Sequence, residues 1–115
     1  MMTKRERNRQ LEFRRQAEEA TRTLRTGTSP MMCRLRDVLA EKGVDPLRTA
    51  LIGIQVDDLH AHAGGTLVLP SGDAVGFGFE WDGKTVDQAE LSQWFVDNDD
   101  PCRAIGQELL EREQS

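Results

Sequence analysis

The segment DDLHAHAGG, from Asp57 to Gly65, holds both histidines of the chain. In an extended segment His60 and His62 would point to the same side, and Asp58 or Asp57 could supply a third ligand to a divalent metal. The same pattern is typical of a polar connection between strands, in which aspartate caps a turn and the glycine pair takes unusual backbone angles. Because no further histidine can complete a site, we interpret the segment as a loop, with a metal centre as the alternative.

Nucleophilic catalysis would need a serine or cysteine beside a histidine and a carboxylate. Cys33 and Cys102 belong to no CxxC pattern, and both lie in segments that predict helices. Cys102 falls near a helix N-terminus, which favours a thiolate, but a packed and reduced thiol is the simpler interpretation of each cysteine. No catalytic residue can be assigned, so we expect a protein without enzymatic activity and without a cofactor.

The start of the chain predicts a long basic helix. Thr3 and Glu6 fit a capping box, which favours a helix from about Lys4 to Thr26. A narrow apolar stripe runs along it, formed by Phe13, Ala17, Ala20 and Leu24. A helix with so little apolar surface gains little from packing. We therefore expect residues 1–27 to form a basic helical arm that can be removed from a single domain of residues 28–115.

The middle of the chain predicts a second helix followed by strands. Ser29 as N-cap and Pro30 at the first helical position begin that helix. The strand ALIGIQV alternates so that one face carries Ile52, Ile54 and Val56. The segments TLVLP and DAVGFGFEW, joined around Ser71 and Gly72, predict a β-hairpin.

The predicted hairpin has an apolar side and a glycine side. The apolar side is the expected core and carries Leu67, Leu69, Val75, Phe77, Phe79 and Trp81. The other side, together with the preceding strand, carries Gly53, Val68, Gly76 and Gly78. Glycine inside a strand weakens the strand unless another backbone or a ligand comes close. The glycine side is therefore a candidate contact surface.

The last part of the chain predicts two short helices. Thr85 and Gln88 fit a second capping box, and the following helical face carries Leu91, Trp94 and Phe95. Asp100 as N-cap and Pro101 at the first helical position begin the final helix. The order of elements predicts an α+β fold, a short antiparallel three-stranded β-meander packed on one face by helices.

The net charge of −5 is unevenly distributed. Residues 1–42 carry eleven Lys and Arg against six Asp and Glu, whereas residues 43–115 carry four against fourteen. A basic arm on an acidic body could bind partners of opposite charge, or a second copy of the chain. The apolar runs are too short for a membrane helix and no apolar signal segment follows the charged start, so we expect a cytoplasmic protein with no membrane contact.

These features favour a non-enzymatic protein-interaction module, a small acidic inhibitor, immunity or adaptor protein that docks a basic protein partner. A nucleic-acid-associated regulator that uses the basic helix is the alternative, although interleaved glutamates argue against it. A metal-dependent enzyme centred on His60 and His62 ranks third. A homo-oligomer could form through the N-terminal helix or the glycine side. The predicted partner-binding residues are Arg5, Arg9, Phe13, Arg15, Gly76, Gly78, Asp97 and Asp99.

Overall fold

The computed structural model describes residues 3–57, 62–81 and 89–114. Its elements, in chain order, are α1 (Lys4–Thr26), α2 (Pro30–Glu41), a short 3-10 helix (Pro46–Arg48), β1 (Ala50–Asp57), β2 (His62–Val68), β3 (Ala74–Glu80), β4 (Glu90–Val96) and α3 (Cys102–Glu113). The capping box of Thr3 and Glu6 begins α1, and the Ser29 hydroxyl accepts the Met32 N–H at the start of α2. Both predicted helix starts are confirmed.

The four strands form one antiparallel meander in the order β1, β2, β3, β4. Leu67 pairs with Val75, which confirms the predicted hairpin. The prediction of a helix through Leu91, Trp94 and Phe95 is wrong, because these residues pair with β3. Aromatic and β-branched residues fit a pleated, half-buried surface, and that preference prevails here. The α+β class is confirmed with a fourth strand, while the capping box of residues 85–88 lies outside the described residues.

Helices cover both faces of the sheet, and not one face as predicted. On the apolar face, the strand residues Leu67, Phe77 and Phe79 pack with Leu35 and Leu39 of α2. On the opposite face, α3 packs over one end of the sheet through Ala50, Ile52, Val68, Leu109 and Leu110. A side chain at Gly106 would collide with Val68, so α3 can approach the sheet this closely only at a glycine.

A bulge in β1 changes which face of the sheet the residues after Gly53 occupy. Gly53 has a φ of +68°, and the pairing with β2 is irregular between Ile52 and Gln55. As a result Ile52 packs with α3, whereas Ile54 packs against the apolar core on the other face. The prediction that Ile52 and Ile54 share one face is therefore wrong, because a bulge shifts the alternation of side chains by one residue.

The second half of α1 lies along the outer edge of β1. Leu24 is fully buried, and the Thr21 hydroxyl accepts the Leu51 N–H at 3.0 Å and donates to the Leu51 carbonyl at 3.3 Å. Side-chain hydrogen bonds of this kind satisfy backbone groups that an edge strand would otherwise leave unpaired. The core therefore extends across the predicted boundary after residue 27, and this burial opposes the expectation that the arm is removable.

Candidate functional site: the glycine face

The sheet face that carries α3 is open beyond the helix, and we call this open part the glycine face. Register places two rows of residues on it: Gly64, Gly78 and Gln93 in one row, and Thr66, Gly76 and Phe95 in the next. A groove of about 410 Å³ runs across these rows and reaches Gln55 on β1 and Asp97 after β4. The predicted glycine side is thus an open part of the sheet, except at Val68, which is buried under α3, and its use as a contact surface stays a prediction.

Phe95 is the exposed apolar side chain of the glycine face, with 52% of its surface accessible. Its ring lies directly over Gly76 of β3, where any side chain would collide with it. Gly78 is buried, and a Cβ built at that residue would lie 3.3 Å from the Gln93 Oε1 atom. A partner on this face would therefore meet Phe95 and Gln93, and the two glycines act by letting those side chains lie flat.

Carboxylates stand at one end of the glycine face, in the turn between β4 and α3. Asp97 and Asp99 are exposed, and the Asp97 Oδ1 atom accepts the Asp99 N–H at 3.2 Å. Asp100 is half-buried, because its carboxylate accepts the Thr66 hydroxyl at 3.2 Å and the Cys102 N–H at 2.9 Å. The predicted helix start is wrong by one residue, because Pro101 is the N-cap and α3 begins at Cys102, although the Asp100 carboxylate does accept an N–H of the first turn.

Asn98 fixes this acidic turn to the hairpin between β2 and β3. Its Oδ1 atom accepts the Ala74 N–H at 2.9 Å, and its Nδ2 atom donates to Asp73 at 3.0 Å. The hydrogen bond from Asn98, followed by one from Ser71, lowers the pKa of Asp73. The turn is therefore fixed before any partner arrives, and within it the Asp97 carboxylate is held by the Asp99 N–H, which reduces the entropy lost on binding.

The opposite end of the glycine face is also acidic. Glu80 and Glu90 are paired residues of β3 and β4, and His62 is the partner of Glu80 on β2. Glu80, Glu90 and His62 are all exposed. Two like charges directly opposite each other destabilise a pair of strands. The face therefore has an uncharged centre, formed by glycines, Thr66, Gln93 and Phe95, between two acidic ends.

The four predicted contact residues on α1 belong to a different surface. Arg5, Arg9 and Arg15 are exposed in the first half of the helix, and Phe13 is 37% exposed. Phe13 lines a separate groove with Ile52 and Gly53 of β1, whereas Gly76 and Asp97 line the groove of the glycine face. The Glu12 Oε1 atom lies 2.7 Å from the Arg15 Nη2 atom, and this hydrogen bond raises the pKa of the Arg15 guanidinium. The groove of the glycine face is therefore lined by Gly76 and Asp97, with Gly78 in the next row and Asp99 in the same turn as Asp97, whereas the four α1 residues do not line it.

The histidine segment is described only in part. His62 begins β2, and Gly64 and Gly65 lie within that strand without left-handed backbone angles, so the loop predicted for this segment ends before His62. His60 and Asp58 lie outside the described residues, and the metal centre predicted as an alternative stays a prediction. Within residues 3–57, 62–81 and 89–114, no cluster of three His, Cys, Asp or Glu side chains is placed to hold a metal ion.

The two cysteines differ in environment. Burial, followed by the nearby Asp100 carboxylate, raises the pKa of the Cys102 thiol to about 11. Cys102 is therefore protonated at neutral pH, so the helix start does not activate it as a nucleophile. Cys33 is exposed on α2 and lies 3.3 Å from the Arg36 Nη2 atom, which corrects the prediction that it is packed.

Sequence reasoning missed most of the residues that form this surface. Phe95 was assigned to a helical face and Gln93 was not singled out, because the capping-box pattern ahead of them favoured a helix, although the run from Gln93 to Val96 also fits a strand. Thr66 and Asp100 are distant in sequence, and only the fold places their side chains in contact. Glu80 and Glu90 could be paired only once β4 was known to be a strand.

The chain was compared with protein-family models, with curated proteins and with solved structures. No match was found in any of the three. None of the helices in the described part of the chain has both the length and the apolar composition needed to cross a membrane. The function proposed below therefore rests on the geometry and charge of the described residues.

Proposed function

We propose that this protein is a non-enzymatic interaction domain that binds a basic protein partner through the glycine face. The observation that carries the proposal is the position of Phe95, a half-exposed aromatic ring on an uncharged surface between two groups of carboxylates. Buried aromatic anchors surrounded by a polar rim supply most of the affinity at many protein interfaces. Carboxylates at such a rim accelerate association with a positively charged partner.

The charges on the face support a cationic partner in particular. Glu80 and Glu90 are paired residues of β3 and β4, where like charges are unfavourable, so a positive group placed between them would be stabilised by both carboxylates. At the other end, Asp97 and Asp99 are exposed in a turn that Asn98 fixes to the hairpin. An inhibitor, an immunity protein or an adaptor would use such a surface to capture a basic enzyme or regulatory protein.

The aromatic anchor gives the first test. We expect Phe95→Ala to weaken binding of the purified partner by about thirtyfold or more, which corresponds to about 2 kcal/mol or more. The partner is first isolated with the tagged full-length chain from the cells that produce it, and the affinity is then measured by isothermal titration. A variant that binds as tightly as the native chain would contradict the proposal.

The acidic turn gives the second test in the same titration, with a double variant of the turn and a matched control double variant elsewhere on the surface. Asp97→Asn combined with Asp99→Asn removes two charges from the acidic turn, and the amide at position 97 retains an acceptor for the neighbouring N–H. Glu19→Gln combined with Asp37→Asn removes two exposed charges elsewhere. We expect about fivefold to tenfold weaker binding from the first pair and less than about twofold from the second.

Nucleic-acid binding by α1 is the second candidate, favoured by one observation. Residues 4–16 are all exposed, and Lys4, Arg5, Arg7 and Arg9 form no ion pair within the part of the chain that the structure describes. Free cationic side chains on one helix could neutralise phosphates. Arg14 and Arg15 are engaged by Glu108 and Glu12, which reduces the positive charge that this helix can offer.

A further inference from the structure

The two edge strands of the sheet, β1 and β4, differ in how their outer backbone groups are covered. The edge of β1 is covered by α1, whose Thr21 hydroxyl bonds to the backbone of Leu51 and whose Arg25 donates to the Thr49 carbonyl at 3.2 Å. At the other edge, the described residues pair β4 with β3 alone. An edge strand presents a row of unpaired backbone groups to which another extended chain can add.

The hydrogen-bond pattern identifies the backbone groups that face outward. The Asp97 N–H donates to the Ala74 carbonyl of the hairpin at 2.9 Å, so the backbone of residue 97 faces β3. Along an antiparallel strand the direction alternates from one residue to the next. The N–H and C=O groups of Trp94 and Val96 therefore point away from β3, towards the edge of β4 that no other described strand covers.

The side chains along β4 suit an apolar strand. Phe95 is 52% exposed on the glycine face, and Val96 is 59% exposed on the other face. Trp94 is half-buried, with the Lys42 ammonium 4.7 Å from the centre of its ring. An added strand would therefore find apolar side chains on both faces of the edge, in register with the outward backbone groups.

The negative charges at the two ends of β4 indicate which kind of strand can pair with it. Glu90 begins the strand, and Asp97 and Asp99 follow it. A second copy paired antiparallel would bring Glu90 of one chain against Asp97 of the other, and a parallel pair would bring Glu90 against Glu90, so both arrangements place like charges together. The repulsion disfavours a second copy and favours a strand with positive ends.

We infer that β4 accepts an extended segment of the partner as a fifth strand, apolar in its middle and basic at both ends. The inference rests on the proposed function, since it specifies how the basic partner is held. The added strand pairs with the outward backbone groups of Trp94 and Val96, while its basic ends lie beside Glu90 and Asp97. The glycine face next to this edge then receives the rest of the partner around Phe95.

The experiment uses the full chain and synthetic peptides in place of the unidentified partner. One peptide alternates threonine and valine and has lysines at both ends, and its control has glutamates in place of the lysines. Val96→Pro removes one outward N–H at an edge position and leaves the bonds to β3 in place. Val96→Thr is the matched control, because it keeps the N–H and a similar shape.

We expect the lysine peptide to bind the native chain at least about tenfold more tightly than the glutamate peptide. Val96→Pro should weaken that binding by about fivefold or more, whereas Val96→Thr should leave it within about twofold. In the native chain, amide hydrogen exchange of Trp94 and Val96 should slow when the lysine peptide is added. The exchange measurement tests the pairing even where the proline variant fails to fold.

Three results would overturn the inference. Equal affinity for the lysine and glutamate peptides, or unchanged exchange at Trp94 and Val96, would exclude pairing with a basic-ended strand. Binding of the lysine peptide that Val96→Pro leaves unaltered would mean that the acidic face captures a basic partner without strand addition, so the proposed function would stand and the inference would fail. Dimers of the free chain that Val96→Pro dissociates would assign the edge to a second copy.

Discussion

Replacing Phe79 with alanine should lower the free energy of unfolding by about 3–5 kcal/mol, the usual cost of removing a buried aromatic side chain. Phe79 is fully buried and meets Phe77 edge to face, with ring centroids 5.9 Å apart. Because a domain of this size has a total stability of about 5–15 kcal/mol, the variant would lose much of it. Urea denaturation followed by far-ultraviolet circular dichroism measures the change.

Leu47→Ala is the control for this prediction. Leu47 is 65% exposed, so its loss should change stability by less than about 0.5 kcal/mol. If alanine at position 79 costs no more than alanine at position 47, the apolar face of the hairpin is not the core, and the assignment of the opposite face as the open surface fails with it.

A chain that begins at Thr28 should not fold cooperatively. The truncation removes Ala17, Thr21 and Leu24 from the core, and it leaves the outward backbone groups of Leu51 without the hydroxyl that satisfies them. Loss of a buried hydrogen-bonding partner together with core side chains exceeds what a small domain tolerates. Thermal melting and the dispersion of amide signals in NMR spectra report the outcome.

A chain that begins at Phe13 is the matched control for the truncation. It keeps the buried half of α1 and loses the exposed residues before it, including Arg5 and Arg9. We expect it to melt within a few degrees of the full chain. A cooperative, native-like melt of the chain that begins at Thr28 would contradict this account and support an independent helical arm. The same Phe13 chain also separates the two candidate functions, because nucleic-acid binding by α1 requires the residues that it lacks.

Local signals in the sequence were enough to predict the helices α1 and α2 and the hairpin of β2 and β3. The two helices have clear start signals, the capping box at Thr3 and Ser29 followed by Pro30, and both are present in the structure. The pairing of Leu67 with Val75 follows from alternation alone. Where the local preference of a segment agrees with its tertiary contacts, the sequence is sufficient to predict the element.

The errors in prediction lie where tertiary contacts decide. The segment around Trp94 satisfies a helical and an extended pattern equally, and the decision depends on whether β3 offers a free edge. Similarly, the face to which Ile54 belongs depends on one bulged residue, Gly53. The burial of α1 was underestimated because the stripe of Ala17 and Leu24 is narrow, although Thr21 between them supplies the hydrogen bonds that join the helix to β1.

The candidate site was predictable only in outline. Glycines at positions 76 and 78 indicated a surface where something approaches the backbone closely, and the structure shows that side chains of β4 do so. The acidic run that contains Asp97 and Asp99 was recognisable as charge, but its position at one end of the glycine face depends on the turn held by Asn98. The sequence therefore shows which residue types are present, whereas only the fold shows which of them lie close together.

The measurement that tests the central claim most directly is a map of amide chemical-shift changes in the labelled chain when the purified partner is added at near-physiological salt. We expect the largest changes at Thr66, Gln93, Phe95 and Asp97, with residues 4–16 of α1 unaffected. Changes confined to the first half of α1, with the glycine face unperturbed, would contradict the assignment of that face as the binding surface.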